Sequence, residues 1–356
     1  MTMNIDVTYT KSLKPKPIAD NIAFGKHFSD HMAVIDYSEE KGWYDPRIVP
    51  YEPITLDPAA MIFHYGQTVF EGLKAYRTED DRILLFRPEK NFRRLNLSSD
   101  RISIPTIDEE FALSCLKKLL EIEKDWIPTA EGNSLYIRPF IFSTEPNLSL
   151  APSKTYQFMI ILSPVGSYYK EGIQPVGIHV EDEYTRAVRG GTGTAKTAGN
   201  YAAAYKAQEK ATQEGYSQVL WLDGVEKKYI EEVGSMNVFF KINGEVITPE
   251  LSGSILEGIT RMSIIEMLKD WGVPVIERRI SLEELYDAYD KGQVEEAFGT
   301  GTAAVISPVG ELNWDGRKMI INNKQIGELS QKLYDTLTGI QTGKVADPYD
   351  WTVEVK

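Results

Sequence analysis

Side chains able to do chemistry first gather around one lysine set among small residues. Lys196 lies in Gly190-Gly191-Thr192-Gly193-Thr194-Ala195-Lys196-Thr197-Ala198-Gly199-Asn200-Tyr201. Small neighbours leave room for a planar ring, and glycine lets backbone come close to a ligand. A glycine-rich surface loop with a solvated lysine is the plain alternative, and composition alone does not separate the two. The spacing does exclude two phosphate loops. No Gly-Lys-Ser/Thr follows the glycines as a Walker A loop requires, and the Gly-x-Gly-x-x-Gly dinucleotide pattern fails after Gly193.

Three further segments carry groups suited to binding. In Tyr229-Ile230-Glu231-Glu232-Val233-Gly234-Ser235-Met236-Asn237, strand alternation puts Glu231 and Glu232 on opposite faces, so one is expected to point inward. A buried carboxylate needs a cationic or protonated partner, and a protonated pyridine nitrogen is one; a hydrogen bond to backbone is the ordinary alternative. Ala297-Phe298-Gly299-Thr300-Gly301-Thr302-Ala303-Ala304 offers N–H groups and hydroxyls that suit a phosphate or carboxylate. Gly258-Ile259-Thr260-Arg261 opens a helix, whose N-terminus is a second anion site. Either segment can equally be an ordinary turn. His27 and His31 stand four apart without the glutamate of an HExxH pattern, and with four histidines and one cysteine no metal site is expected.

The elements that must position these residues follow from periodicity and turn signals. Arg82–Phe86 reads as a strand ended by Pro88, with a helix through Asn91–Leu95. A second helix begins near Asp108, has an acidic first turn and runs to Leu120. Leu135–Ile141 and Tyr156–Leu162 read as strands. The Pro- and Gly-containing stretch that follows gives an expected division into a domain 1–163, a linker 164–174 and a domain 175–356. In the second part come a strand Val176–Val180 and a helix from about Asn200 to Glu214, stopped at Gly215. The strand Gln218–Leu222 turns at Asp223-Gly224, a hairpin is signalled at Asn243-Gly244, and Ser281-Leu282-Glu283-Glu284 is a capping box. Many hairpins with flanking helices imply a mixed sheet or pseudobarrel, an α/β (α+β) chain without a regular doubly wound sheet.

Composition narrows the function. The chain has 356 residues with a formal net charge of −13, which disfavours nucleic acid as a partner. Its one cysteine, Cys115, lies in a periodic apolar segment and reads as a buried helical thiol. No stretch approaches the roughly 18 apolar residues of a membrane span, and no signal-peptide core precedes the first domain, so a cytoplasmic location is expected.

Taken in order, the segments resemble the class IV (fold type IV) aminotransferases, and within them the branched-chain amino-acid aminotransferases. The resemblance rests on Phe28-Ser29-Asp30-His31-Met32, Lys41-Gly42-Trp43, His64–Ala75 with its Phe70-Glu71-Gly72-Leu73, Leu135-Tyr136-Ile137-Arg138-Pro139, Ala195–Tyr201, Glu232–Asn237 and Gly299–Ala303. It runs from Phe24-Gly25 to the C-terminal helix. It implies a smaller N-terminal α/β domain, a larger C-terminal pseudobarrel domain and pyridoxal 5′-phosphate as cofactor. The implied reaction is reversible transfer of the amino group of L-leucine, L-isoleucine and L-valine to 2-oxoglutarate.

Residue by residue, the resemblance implies that Lys196 carries the cofactor and moves the proton between substrate Cα and cofactor C4′. Glu232 would face the pyridine nitrogen and Tyr201 the ring O3′. Arg94, rather than Arg93, would bind the 5′-phosphate with backbone and hydroxyl groups at Ile259, Thr260 and Thr300, and Ser235 would belong to the cofactor site. Tyr136, Arg138, Thr302 and Ala303 would receive substrate carboxylates, and Phe24, Tyr65, Phe70 and Tyr168 would line an apolar side-chain pocket. The family also implies a homodimer. Where mammalian relatives carry Cys-x-x-Cys, this chain reads Ala303-Ala304-Val305-Ile306-Ser307-Pro308, which leaves no thiol switch. Ser235 replaces the family's threonine and keeps its hydroxyl; both departures imply a bacterial-type enzyme. A D-amino-acid aminotransferase or aminodeoxychorismate lyase shares the lysine and glutamate, and a catalytically silent scaffold homologue is the alternative of a different class.

Overall fold

The structure is a computed structural model and describes residues 4–17, 22–167 and 173–355. The chain forms two compact units: Met1–Tyr168 with Ala195–Ala198 and Gly339–Lys356, and Tyr169–Thr194 with Gly199–Thr338. The expected domain 175–356 therefore yields two pieces to the first unit, which becomes the larger of the two rather than the smaller. The expected linker also begins too early, because Pro164 and Val165 are still paired with Leu135 and Ser134.

The first unit is a nine-stranded sheet with its two long helices on one face. Its elements are β1 (Asp6–Val7), β2 (His31–Ser38), β3 (Gly42–Pro50), α1 (Met61–Tyr65), β4 (Thr68–Phe70), β5 (Leu73–Arg77), β6 (Ile83–Phe86), α2 (Pro88–Arg101), α3 (Glu109–Ile122), β7 (Ser134–Ser143) and β8 (Thr155–Val165). Strand order is β1-β3-β2-β8-β7-β5-β6, with β4 beside β7. The sheet ends in the C-terminal strand Thr352–Val355, antiparallel to β6. That pairing, with Trp351 packed on Phe86 and under the guanidinium of Arg87, draws the chain's end into this unit. Nothing local in the sequence announces it.

Pro88 opens α2 rather than merely ending the strand before it, its missing N–H costing nothing at a first helical position. Asp108 caps α3 by accepting from Phe111 N at 2.8 Å, as the acidic start led one to expect. Alternation sorts β7. Leu135, Ile137 and Ile141 join Phe92, Leu95, Leu116 and Leu119 of α2 and α3 in one core, while Tyr136, Arg138 and Phe140 fall to the other face.

The second unit holds β9 (Val176–Glu181), α4 (Ala198–Ala202), α5 (Tyr205–Gln213), β10 (Gln218–Leu222), β11 (Ile230–Val233), β12 (Met236–Ile242), β13 (Glu245–Thr248), α6 (Ile259–Asp270), β14 (Val275–Glu277), α7 (Leu282–Asp290), β15 (Val294–Gly301), β16 (Val305–Trp314), β17 (Arg317–Ile320) and α8 (Glu328–Gln341). Ala198 of α4 and the last residues of α8 belong to the first unit. The order β11-β10-β9-β16-β15-β12 closes on itself through β11–β12 pairing, giving a six-stranded barrel without free edges at the join. Ile178, Val180, Leu220, Leu222, Val238, Phe240 and Leu312 lie in its core.

Asn243 and Gly244 both adopt positive φ in the β12–β13 hairpin, the geometry that a two-residue primed turn demands. The helix expected over about 200–214 is broken into α4 and α5, and Gly215 ends it at φ 86°. No helix among the described residues is long and apolar enough to cross a membrane.

Cys115 faces the α3 core, and burial pushes its thiol up to about 12, with Ser114 acting weakly the other way. Native protein at pH 8 should therefore leave a thiol reagent such as DTNB unreacted over an hour, then release one equivalent on denaturation. Rapid labelling of the native state would show this thiol to be accessible.

Candidate active site

Lys196 is fixed by its backbone. Its N–H donates to Ser98 Oγ of α2 at 2.8 Å, its carbonyl accepts from Phe70 N at 3.0 Å, and Thr197 Oγ1 donates to Thr68 O at 2.7 Å. Thr197 also bridges Val69, so residues 196–197 run as an added edge along β4. With the backbone held, Lys196 Nζ lies 4.9 Å from the centre of the Phe70 ring.

From Phe70 a chain of contacts runs through residues the sequence singled out. The Arg138 guanidinium stacks 4.7 Å above Phe70 and 5.3 Å from the Tyr136 ring, and donates to Tyr136 Oη at 3.0 Å. Phe24 meets Tyr136 edge-on with centroids 4.9 Å apart. Gly72 makes room for this tyrosine, since a Cβ there would collide with its hydroxyl. Phe24, Phe70, Tyr136, Arg138 and Lys196 thus form one cluster in the first unit. Tyr65 stands apart from it, at the end of α1, with its hydroxyl on Leu148 O at 2.5 Å. Tyr168 lies outside the described residues.

Arg94 is buried on α2 while Arg93 is exposed. Arg94 Nε and Nη2 donate to the two oxygens of Glu71 at 2.7 and 2.8 Å, and Asn91 Nδ2 adds a bond at 2.8 Å. Burial would raise the Glu71 carboxyl, but the Arg94 charge and hydrogen bond, Lys196 and Asn91 together hold it below the ordinary carboxylate range. The motif reading assigned Glu71 no role. Its signal was a lone carboxylate inside Val69-Phe70-Glu71-Gly72-Leu73, which a buried strand tolerates only with a cation close by.

In the second unit, Glu231 and Glu232 are both buried, so burial does not tell which of the two faces inward. Each has its own partners. Glu231 accepts from Ser254 Oγ, and burial raises its carboxyl against that bond. Glu232 accepts from Leu256 N at 2.9 Å and lies 3.4 Å from Arg186 Nη2, a buried arginine that also donates to Ser254 O. Arg186, far from Glu232 along the chain, gave no sign in the sequence. Ser235 follows Gly234, φ 58°, in the turn between β11 and β12.

Thr300 is buried on β15 opposite Asn237, and among the described residues its Oγ1 has no hydrogen-bond partner. Asn237 Nδ2 holds Leu256 O at 2.9 Å, and its Oδ1 leaves no space for a side chain at Gly258. Gly258 therefore enters α6 with no side-chain cap, and the first N–H groups, at Ile259 and Thr260, face the turn uncapped by it. An unpaired buried hydroxyl and a helix N-terminus joined through one asparagine fit an anion such as a phosphate. Tyr201 lies on α4, and Thr302-Ala303 forms the turn between β15 and β16.

A family model, amino-transferase class IV, matches residues 68–312, which span the lysine, both glutamates and the Thr300 strand. The chain belongs to the class IV aminotransferases. This aminotransferase is 65% identical over 354 residues to branched-chain-amino-acid aminotransferase 2 of Bacillus subtilis, covering 99% of this chain and 97% of the relative. A branched-chain aminotransferase of Thermoproteus uzoniensis, solved with norvaline, superposes with a TM-score of 0.75 at 28% identity, over 92% of this chain and all of that one. The T.th. branched-chain amino acid aminotransferase, solved with pyridoxamine 5′-phosphate, gives 0.73 at 26% identity, over 91% of this chain and 99% of that one.

Because Ser98 Oγ is the acceptor for the Lys196 N–H, Ser98→Ala should destabilise this aminotransferase by about 1–3 kcal/mol, the cost of leaving a buried donor unpaired. A lowered thermal midpoint of the apoprotein would show it. An unchanged midpoint would mean that the lysine backbone is held by the β4 bridge alone.

Proposed function

We propose that this aminotransferase moves the amino group of L-leucine, L-isoleucine and L-valine to 2-oxoglutarate and back, using pyridoxal 5′-phosphate carried on Lys196. The observation that carries the reading is the placement of Lys196 Nζ over Phe70, at the end of the cluster running through Arg138 and Tyr136 to Phe24. The named relative at 65% identity supports the substrate class, and the pyridoxamine 5′-phosphate of the T.th. structure supports the cofactor.

When bound, the cofactor supplies an electron sink that lets a substrate Cα–H leave as a proton. Lys196 would hold that cofactor through its Nζ, and the same amine, once free, would be the base that moves the proton at the substrate Cα. Glu232, fixed by Leu256 N, would hold the pyridine nitrogen in its protonated form. Tyr201 would serve as the donor to the ring O3′. Arg94 in the first unit would hold the 5′-phosphate, and in the second unit Thr300 Oγ1 and the N–H groups of Ile259 and Thr260 are the groups suited to it, with Ser235 assigned to cofactor binding.

The Thr302-Ala303 turn and Tyr136 receive the α-carboxylate. Arg138, stacked between Phe70 and Tyr136, supports it and meets the γ-carboxylate of glutamate in the other half-reaction. Phe24 and Phe70, joined through Tyr136 and Arg138, would line the aliphatic pocket. The working form is a homodimer in this reading, and Phe63, Leu148 and Leu150, all exposed near Tyr65, are the apolar surface a second copy would cover.

Purified holoenzyme should convert 2-oxoglutarate to glutamate with each of L-leucine, L-isoleucine and L-valine, and sediment as a dimer. Lys196→Ala should lose turnover by at least about three orders of magnitude, as expected when a covalent and proton-transfer group is removed. Activity confined to D-alanine would overturn the substrate assignment, and a colourless protein that takes up no pyridoxal phosphate would overturn the enzyme reading.

A further inference from the structure

The most fully satisfied buried charge in the first unit is one that no catalytic role has claimed. Glu71 sits in the short connection between β4 and β5, completely buried. Its backbone N–H donates to Pro139 O at 2.7 Å, which ties it to β7, while Phe70 just before it holds the Lys196 carbonyl. Its side chain reaches α2. There Oε1 accepts from Arg94 Nε, Oε2 accepts from Arg94 Nη2 and Asn91 Nδ2, and Gly72 N adds a bond at 3.1 Å. Asn91 also donates to Gly72 O, so the amide braces both the carboxylate and its own turn.

This side-on pairing engages Nε and Nη2 and so fixes the plane of the guanidinium and the direction in which its outer edge, made by the two Nη groups, points. A long arginine otherwise loses much of its rotamer freedom when it is ordered on a ligand. Here that ordering is complete before any ligand arrives. The buried carboxylate in turn would be costly without its cation, so the two groups specify one another.

We propose that Glu71 is a positioning residue for the cofactor: it presets Arg94 to meet the 5′-phosphate and so makes phosphate-dependent binding tight. This rests on the reading of Arg94 as a phosphate ligand. The rival is a purely structural pair that locks α2 to the β4–β5 turn and has no selectivity for phosphate.

The test compares binding of pyridoxal 5′-phosphate with that of 5′-deoxypyridoxal, which lacks the phosphate, to the apoproteins, followed by cofactor absorbance and tryptophan fluorescence. Glu71→Gln should raise the Kd for pyridoxal phosphate by about tenfold or more, with that for 5′-deoxypyridoxal staying within about twofold. Equal weakening of both ligands, or of neither, overturns the positioning role. Arg94→Gln runs alongside. If it weakens both ligands equally, the phosphate reading of Arg94 falls and Glu71 with it; if it is selective and Glu71→Gln is not, only the Glu71 inference falls. Should Glu71→Gln fail to fold, Asn91→Ala, which removes one donor from the same carboxylate, decides the matter: a selective loss of about threefold supports the proposal and a uniform loss overturns it.

Discussion

Residues 196 and 197 are bound to β4 and α2 while the chain on either side of Ala195–Ala198 belongs to another compact unit, and the role proposed for Lys196 depends on that capture. Two hydrogen bonds of the lysine backbone, to Ser98 Oγ and from Phe70 N, and one from Thr197 Oγ1 to Thr68 O fix this stretch in the first unit. A flexible four-carbon side chain delivers a nucleophile reproducibly only if its Cα is held and its ammonium has a defined surface to rest on. β4 provides the first and the Phe70 ring the second. The glycines before Lys196 fit this view, since they let the chain enter a position where a larger side chain would meet backbone. At Gly193 a Cβ would collide with Ser254 O.

α2 does more than fill the core. Leu95 and Phe92 anchor it to the sheet, while Asn91, Arg94 and Ser98 face the Glu71 turn and Lys196. One helix thereby sets the lysine backbone and the arginine together, and a shift of α2 would move both. The barrel of the second unit offers the complementary chemistry on its own. Glu232 is oriented by Leu256 N beside Arg186, and Thr300 presents a buried hydroxyl next to the Asn237-braced entry to α6. A rigid closed barrel suits that task, because its strands cannot slide without breaking a ring of pairings.

What the sequence revealed and what it hid divide along the distance between interacting groups. The Asp108 cap, the Asn243-Gly244 turn and the Gly215 helix stop were legible because each is decided within a few neighbouring residues. The Lys196 and Glu232 motifs were readable as patterns, and Arg94 was preferred to Arg93 on the same basis; Arg94 is buried and Arg93 exposed. The carboxylate of Glu71 was invisible as a partner of Arg94, 23 residues on, and so was Arg186 beside Glu232. Alternation could not say which of Glu231 and Glu232 would be buried, because this barrel strand is covered on both faces. The C-terminal strand escaped notice for a related reason. Its partner β6 lies near the other end of the chain, and pairing at that range leaves no local signature.

The central claim is that Lys196 carries the cofactor. Holoenzyme treated with borohydride, which reduces the lysine–cofactor linkage to a stable bond, then digested and sequenced by mass spectrometry, tests it directly. The account predicts one pyridoxyl-modified peptide, with the adduct on Lys196 and protection when an excess of L-leucine is added first. An adduct on any other lysine, or none, would contradict it.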